Sequence, residues 1–575
     1  PTWDYWLSYT GPSALFEKCA RAAVRHGTRM GAKLQVSCSH EVATTQVVPA
    51  PGLLYTKYKA MRRLGVSAAM HSWYFGAYPS LMTQAAGLLL FEPFPAREGD
   101  FLLDLARRDW GRHAPDVVRA WRHFRQGYAR YPTAHIFGYF GPMHDGPVWP
   151  LYLEPRRLPL APTWQIGYAP SGDYIAECVV NGFTLRELVV LTQRMAAVWE
   201  RGVRILQRVK PHVRNDPDRV RDIGLAAALG IQFRSGANIL RFYDLRERLA
   251  ESRAPGRRRR ILGAMRTLAQ AELKLDAALL PLAEADSRLG FHSEAEGYKY
   301  FPALIRWRMR QVRRLLQAEF PAVERRIRQP GGLFPAYTGE RPEGPACRSR
   351  FLDRAANAGG APRGAAWAGA PAAECAHWLR RQFSRERWRR CAYDPDDHVP
   401  LAAADAPRRV VAWQAGHDRE ALHLLIRCRA PADERSGSPF RGHTLQVLIE
   451  PQRTLPRLIW HLEPDGRFRT QRDDGYIPVP GDRGRAWSRV EGDAWTVLLT
   501  IPFAVLGRKA GRAARPPVRV NVILSLPAPE EQGTLSCSWV PRQPVKGRLV
   551  WGTLNPATDF GWLIFEPRRS GGGSA

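Results

Sequence analysis

Ala134-His135-Ile136-Phe137-Gly138-Tyr139-Phe140, running into Gly141-Pro142-Met143-His144-Asp145-Gly146-Pro147-Val148-Trp149-Pro150, decides how the first third of the chain is read. A short unbroken apolar run closed by glycine and proline is the pattern of a buried strand. Residues 134–140 are therefore expected as a strand whose end carries His144 and Asp145, with Trp149 and Tyr152 close behind. Two earlier segments repeat the design. Leu34-Gln35-Val36-Ser37-Cys38-Ser39 leads to His40-Glu41, and Val66-Ser67-Ala68-Ala69-Met70 leads to His71-Ser72-Trp73-Tyr74-Phe75. Three strand ends bearing carboxylates, imidazoles and aromatics imply one shared mouth. Such a mouth suits sugars, whose apolar ring faces stack on aromatics and whose hydroxyls take charged hydrogen bonds.

Helical spacing over Ala14 to Arg29 and Tyr55 to Leu64 separates these strands, and Gly87 to Pro93 reads as a further short one. Alternating strands and helices over residues 1–165 predict a parallel sheet, either open or a partial or complete (β/α) barrel. Only four or five units are visible, and with Pro1 as the first residue a barrel lacking its N-terminal part is the expectation. Residues 166–330 then change to long amphipathic helices, at Leu185 to Val209, Val220 to Ala250, Arg257 to Ser287 and Tyr298 to Arg328, which predict a helical bundle-like domain. Between the last two lies a polar stretch, Asp286 to Tyr298. It reads either as a helix C-cap and N-cap in succession or as a loop leaning on the mouth. Residues 331–373 are rich in Gly, Pro and Ala and read as a linker. Residues 374–568 show short alternating runs separated by turns, an all-β antiparallel sandwich by pattern. Residues 569–575 read as a flexible tail.

The chain has 575 residues and a formal charge of +31, which raises nucleic-acid binding. Only nine of the 85 basic residues are lysine, and the arginines are spread along the whole length. Solvated arginine faces explain that distribution, so no nucleic-acid partner is expected. No run of about 18 apolar residues occurs, so no membrane span is expected. The eight cysteines lack CxxC spacing, which argues against zinc or iron–sulfur sites. One or two disulfides among the last five fit an exported protein. No cofactor is expected, and nothing marks an oligomeric state.

The C-terminal third resembles family 9 carbohydrate-binding modules. The resemblance rests on Asp418 before the run 421–428, the element ending Glu450-Pro451, the segment Trp495 to Gly507 with its turn after Ile501-Pro502, and the closing Phe560-Gly561-Trp562-Leu563-Ile564-Phe565-Glu566. It implies a sugar-binding sandwich, with Trp413 and Trp460 either stacking or core aromatics. The N-terminal part resembles bacterial glycoside hydrolases of the (β/α)-barrel type, on Ser39-His40-Glu41, His71 to Phe75 and Gly141 to Trp149. That likeness implies an exported glycosidase acting on an oligo- or polysaccharide.

Glycoside hydrolysis generally uses two carboxyl groups, one of them raised in pKa to act as the acid. Glu41 and Asp145 are the first pair, with Glu92 in reserve; His40, His71, Trp73, Tyr74, His144, Trp149 and Tyr152 are the candidate substrate contacts. Each has a plainer reading: Glu41 as a loop cap, Asp145 as a turn residue, the aromatics as core. A metal cluster of the histidines with Asp145 lacks any local ligand spacing, so none is expected. The competing class is a protein that holds sugar without cleaving it.

Overall fold

The computed structural model describes residues 6–73, 79–166, 170–179, 183–352, 361–362, 364–389, 396–431, 439–451, 453, 457–472, 484–508, 516–527, 534–541 and 560–567. The chain divides into two compact units, Pro1–Gln329 and Pro330–Ala575. The boundary expected at 165/166 falls inside the first.

The first unit opens with helix α1 (Ala14–Arg25), strand β1 (Met30–Leu34), α2 (Gly52–Arg63) and β2 (Val66–His71). Ser13 caps α1, its hydroxyl accepting from the Phe16 amide at 3.1 Å. β1 and β2 pair in parallel, with Leu34 opposite His71, and α2 is their crossover. This βαβ unit is the only parallel sheet among the described residues of this unit, so the larger set of strands expected for a barrel is not found there.

Two expected strands are helices. Gly87 to Leu90 ends α3 (Leu81–Leu90), which starts at a capping box where Ser80 and Thr83 satisfy each other's backbone amides. Residues 134–140 form α6 (His135–Phe140), following α4 (Glu98–Trp110) and α5 (Ala114–Tyr128). Ile136, Phe137 and Phe140 are all buried. A run that is apolar on every side carries no period to separate helix from strand.

Long helices follow: α7 (Leu185–Val209), α8 (Pro217–Glu251), α9 (Pro255–Ala285), and, after a hairpin of β3 (Phe291–His292) and β4 (Gly297–Tyr298), α10 (Pro302–Arg314) and α11 (Phe320–Ile327). α5 packs on α7, α7 on α8, α8 on α9 and α9 on α10. Most of α8 from Leu225 to Tyr243 is buried, as expected of a helix enclosed by neighbours. The layer is pinned by charge. Arg308 of α10 donates to Asp276 (2.8 Å) and Glu272 (2.7 Å) of α9 and to the Trp149 carbonyl (3.1 Å), while Ser235 and Asn238 of α8 donate to Glu272.

The second unit contains helix α12 (Pro335–Thr338) and strand β5 (Ala346–Phe351), then α13 (Gly364–Trp367), β6 (Ala372–Glu374), β7 (His377–Phe383), α14 (Arg385–Arg389), β8 (Asp396–Pro400), β9 (Val410–His417) and β10 (Ala421–Arg429). It continues with β11 (Thr444–Glu450), β12 (Leu458–Leu462), β13 (Phe468–Arg472), β14 (Arg485–Glu491), β15 (Ala494–Pro502), β16 (Val518–Leu526), β17 (Thr534–Ser538) and β18 (Gly561–Phe565). The main path is β13-β12-β11-β16-β18-β5-β9-β10-β15-β14. β5 corrects the linker reading of 331–373: it lies in the sheet, parallel to both β18 and β9, where the pattern leads to antiparallel pairing throughout. Alternate side chains such as Leu424, Ile426, Val447, Ile449, Val497, Leu499, Val520 and Val522 fill one core. Trp413 and Trp460 belong to it with 0% exposure, which removes both as stacking surfaces. Every described cysteine is a free thiol; Cys391 lies outside the described residues.

Candidate functional site

The site is assembled from three segments of the first unit: the loop after β1, the end of β2 and the β3–β4 hairpin. β2 stops at Ser72, whose amide donates to the Leu34 carbonyl at 2.7 Å. Ser72 is buried and holds φ +61°, a conformation that costs a non-glycine residue energy and recurs at functional positions. Beyond that bend Trp73 stands 47% exposed, with the Lys33 ammonium 4.0 Å from its ring centroid.

The hairpin is laced to the first loop by backbone and amide bonds. Gly290 N–H donates to the Thr44 carbonyl and Lys299 N–H to the Gly290 carbonyl, both at 2.8 Å, and the Gln46 side chain donates to the Phe291 carbonyl at 2.8 Å. Gly290 has φ +85°, and a Cβ there would stand 1.9 Å from the Tyr300 carbonyl oxygen, so only glycine closes this junction. The result brings Glu294 to His40, with an oxygen and a ring nitrogen 3.3 Å apart. The Trp73 indole hydrogen-bonds the same carboxyl. Burial pushes the Glu294 carboxyl up to about 7, against the weaker downward pull of that indole bond. Tyr139 sets its ring edge-on to His40 at 4.9 Å, and Trp164 packs against Tyr139 at 4.7 Å.

Behind His40 lies a sealed polar layer. His144 contacts the His40 carbonyl through Nε2 and stacks on His292 at 5.5 Å. Burial drives the His144 ring down to about 3 and the His292 ring well below its ordinary value. Both are therefore neutral near pH 7. Asp145 is fully enclosed, accepting from the Ser171 hydroxyl at 3.1 Å, and burial raises the pKa of its carboxyl. Burial lowers that of the Lys299 ammonium, which donates to the carbonyls of Pro162 (3.0 Å) and Gln165 (2.8 Å).

Several residues expected at the site are placed elsewhere or sealed. Glu41 has 0% exposure, and its carboxylate accepts from the amides of Leu7 (2.8 Å) and Ser8 (2.9 Å) and from the Ser39 hydroxyl. It anchors the N-terminal segment. Glu92 is on the surface, paired with Arg62, which holds its carboxyl below the usual range. His71 bonds the Tyr58 hydroxyl. Trp149 has 0% exposure and donates to the Gly172 carbonyl at 2.9 Å, so it is a core residue. Tyr152 lies under the Arg156 guanidinium at 4.3 Å, and its carbonyl accepts from Arg246. Tyr74 lies outside the described residues. Of the residues expected from sequence, the structure gathers His40 and Trp73 around Glu294, with His144 and Asp145 in the layer behind. No group of three or more His, Cys, Asp or Glu able to hold a metal occurs among the described residues. Likewise no described helix is long and apolar enough to cross a membrane.

No protein-family profile and no curated protein sequence matches the chain. Solved structures give shallow likenesses. A family 9 carbohydrate-binding module from Caldicellulosiruptor kristjanssonii, in complex with cellotriose, aligns at 9% identity over 40% of this chain and 98% of its own, with TM-score 0.26. A putative carbohydrate-binding protein from Bacteroides uniformis aligns at 16% identity over 39% of this chain and 100% of its own, with TM-score 0.25. A GH138 enzyme targeting pectin rhamnogalacturonan II aligns at 9% identity over 95% of this chain and 60% of its own, with TM-score 0.40. Likenesses of this depth assign the chain to no family.

Proposed function

We propose that this protein hydrolyses a glycosidic bond in an oligo- or polysaccharide, with Glu294 as the proton donor. One observation carries the reading: a carboxyl whose pKa is pushed up to about 7 sits between a half-exposed tryptophan and a histidine. A carboxyl of that kind holds its proton near neutrality and can give it up, which a general acid must do. Trp73 is the platform for a sugar ring. As the C–O bond breaks, Glu294 protonates the leaving oxygen. Water adds to the anomeric carbon, and the proton it releases restores the carboxyl, with His40 as the adjoining relay. The second unit is proposed as a sandwich that holds the sugar chain. That role and an exported location rest on sequence resemblance.

The alternative is sugar binding without cleavage. It is favoured by the sealing of Glu41 and Asp145, which leaves Glu294 without either as a second carboxylate. Glu294→Gln separates the two readings in a screen of chromogenic glycosides and polysaccharides. Turnover should fall roughly 10²–10⁴-fold with binding retained; an unaltered rate rejects Glu294 as the acid.

A further inference from the structure

Helices α5 and α7 meet closely because Gly127 and Gly202 face the opposing helix. A Cβ on Gly127 would lie 3.0 Å from the Met195 carbonyl oxygen, and one on Gly202 would lie 2.8 Å from that of Ala120. Along this contact Arg201, Arg204 and Arg208 of α7 are spaced three and four residues apart, which places them on one face. With His123 of α5 and the buried Ile205 they line an open hollow of about 480 Å³. All three arginines are exposed, and none is in an ion pair among the described residues. Glu200, the sequence neighbour of Arg201, is committed to Arg234 at 2.7 Å. His123 Nδ1 is buried with no hydrogen-bond partner among the described residues. The charges of Arg201 and Arg119 add to burial in holding its ring below the ordinary value. Like charges at this spacing repel one another, so the hollow is arranged for an anion.

We propose that this hollow binds an acidic glycan through the carboxylates of its uronate units. Planar guanidiniums match carboxylates in paired, charge-assisted hydrogen bonds. The stripe covers roughly 10 Å of helix, and its lining has no Trp, Tyr or Phe on which bases could stack. Both features favour a short run of charged sugars over a nucleic-acid strand. The choice of a sugar-borne carboxylate rests on the carbohydrate reading above, whereas the cationic hollow stands without it.

Calorimetric titration of the full chain with trigalacturonate, maltotriose and oligothymidylate tests the proposal. Trigalacturonate should bind with an affinity that falls as salt rises. It should bind about tenfold more weakly to Arg204→Ala and about a hundredfold more weakly to Arg201→Ala/Arg208→Ala, with circular dichroism unchanged. Absent binding, or equal binding by the variants, overturns the proposal. Oligothymidylate binding more tightly, and being the ligand lost in the variants, overturns it in favour of nucleic acid. If trigalacturonate fails while a neutral glycan is still turned over, the hollow's assignment falls and the hydrolase reading stands. If no glycan is turned over but trigalacturonate binding is lost in the variants, the reverse holds.

Discussion

Replacing Glu41 with glutamine distinguishes an anchoring carboxylate from a catalytic one. Its two oxygens accept from the Leu7 and Ser8 amides at 2.8 and 2.9 Å, and the Ser39 hydroxyl donates as well, with no exposure to solvent. Glutamine has the same shape but turns one oxygen into an N–H₂ donor. One backbone N–H then faces another donor, losing a charge-assisted bond of about 1.5–3 kcal/mol and leaving a buried amide unsatisfied at about 1–3 kcal/mol. Relief of the buried charge offsets part of this. The net loss is about 3 kcal/mol, which for a unit of this size lowers Tm by roughly 4 °C. Scanning calorimetry of the full chain measures the shift, and the glycosidase screen run on the same sample measures turnover. Turnover per folded molecule should stay within about twofold of the parent, since the carboxylate reaches no substrate. A Tm within a degree of the parent, together with a thousandfold loss of turnover, would refute the anchoring role.

Arg308→Met leaves Glu272 and Asp276 buried without their cation and should cost about 3–5 kcal/mol in denaturant unfolding. Adding Glu272→Gln and Asp276→Asn should recover part of it; an undiminished stability in the single variant contradicts the pairing. Burial pushes the Asp276 carboxyl from 3.8 up to about 7. The folded state therefore holds that proton more tightly than the unfolded chain, and stability should decline as pH rises from about 4 to 7, by up to about 4 kcal/mol. Asp276→Asn should flatten that part of the stability–pH curve, and an unaltered slope would assign it to other groups. Trp73→Ala should weaken sugar binding about tenfold. Trp73→Phe keeps an aromatic ring beside Glu294 but removes the indole N–H that lowers its pKa, so it should move the alkaline limb of activity upward; an unmoved limb contradicts the bond.

Parts of this fold are legible where one face of an element meets solvent. α7 begins and ends where the apolar spacing puts it, with Thr184 and Glu187 forming a capping box at its start. β10, β11, β15 and β16 are buried on both faces over most of their length, and they are legible instead as runs of seven to nine residues rich in Val, Ile and Leu between turns. Legibility fails for a short apolar run. Ala134, Ile136, Phe137, Gly138 and Phe140 are all buried, so the stretch carries no period to separate helix from strand. β5 hides in a Gly- and Pro-rich stretch because its register comes from β18 and β9, far off in sequence. The site divides in the same way. His40 and Trp73 are readable as polar and aromatic residues just past apolar runs, and 286–298 stands out as a polar stretch. The role of Glu294 depends on contacts with Thr44 and Gln46, some 250 residues away in sequence, and on a degree of burial that only the folded chain defines.

The pH dependence of kcat/KM for the parent and Glu294→Gln, on one substrate with a poor leaving group and one with an activated phenol, tests the proton-donor assignment most directly. A general acid must be protonated, so parental activity on the poor leaving group should fall as pH rises through about 7. The Gln variant should lose that limb and most of its rate, while keeping much of its rate on the activated phenol. A limb near 7 that persists in the variant, or equal losses on both substrates, would contradict Glu294 as the acid.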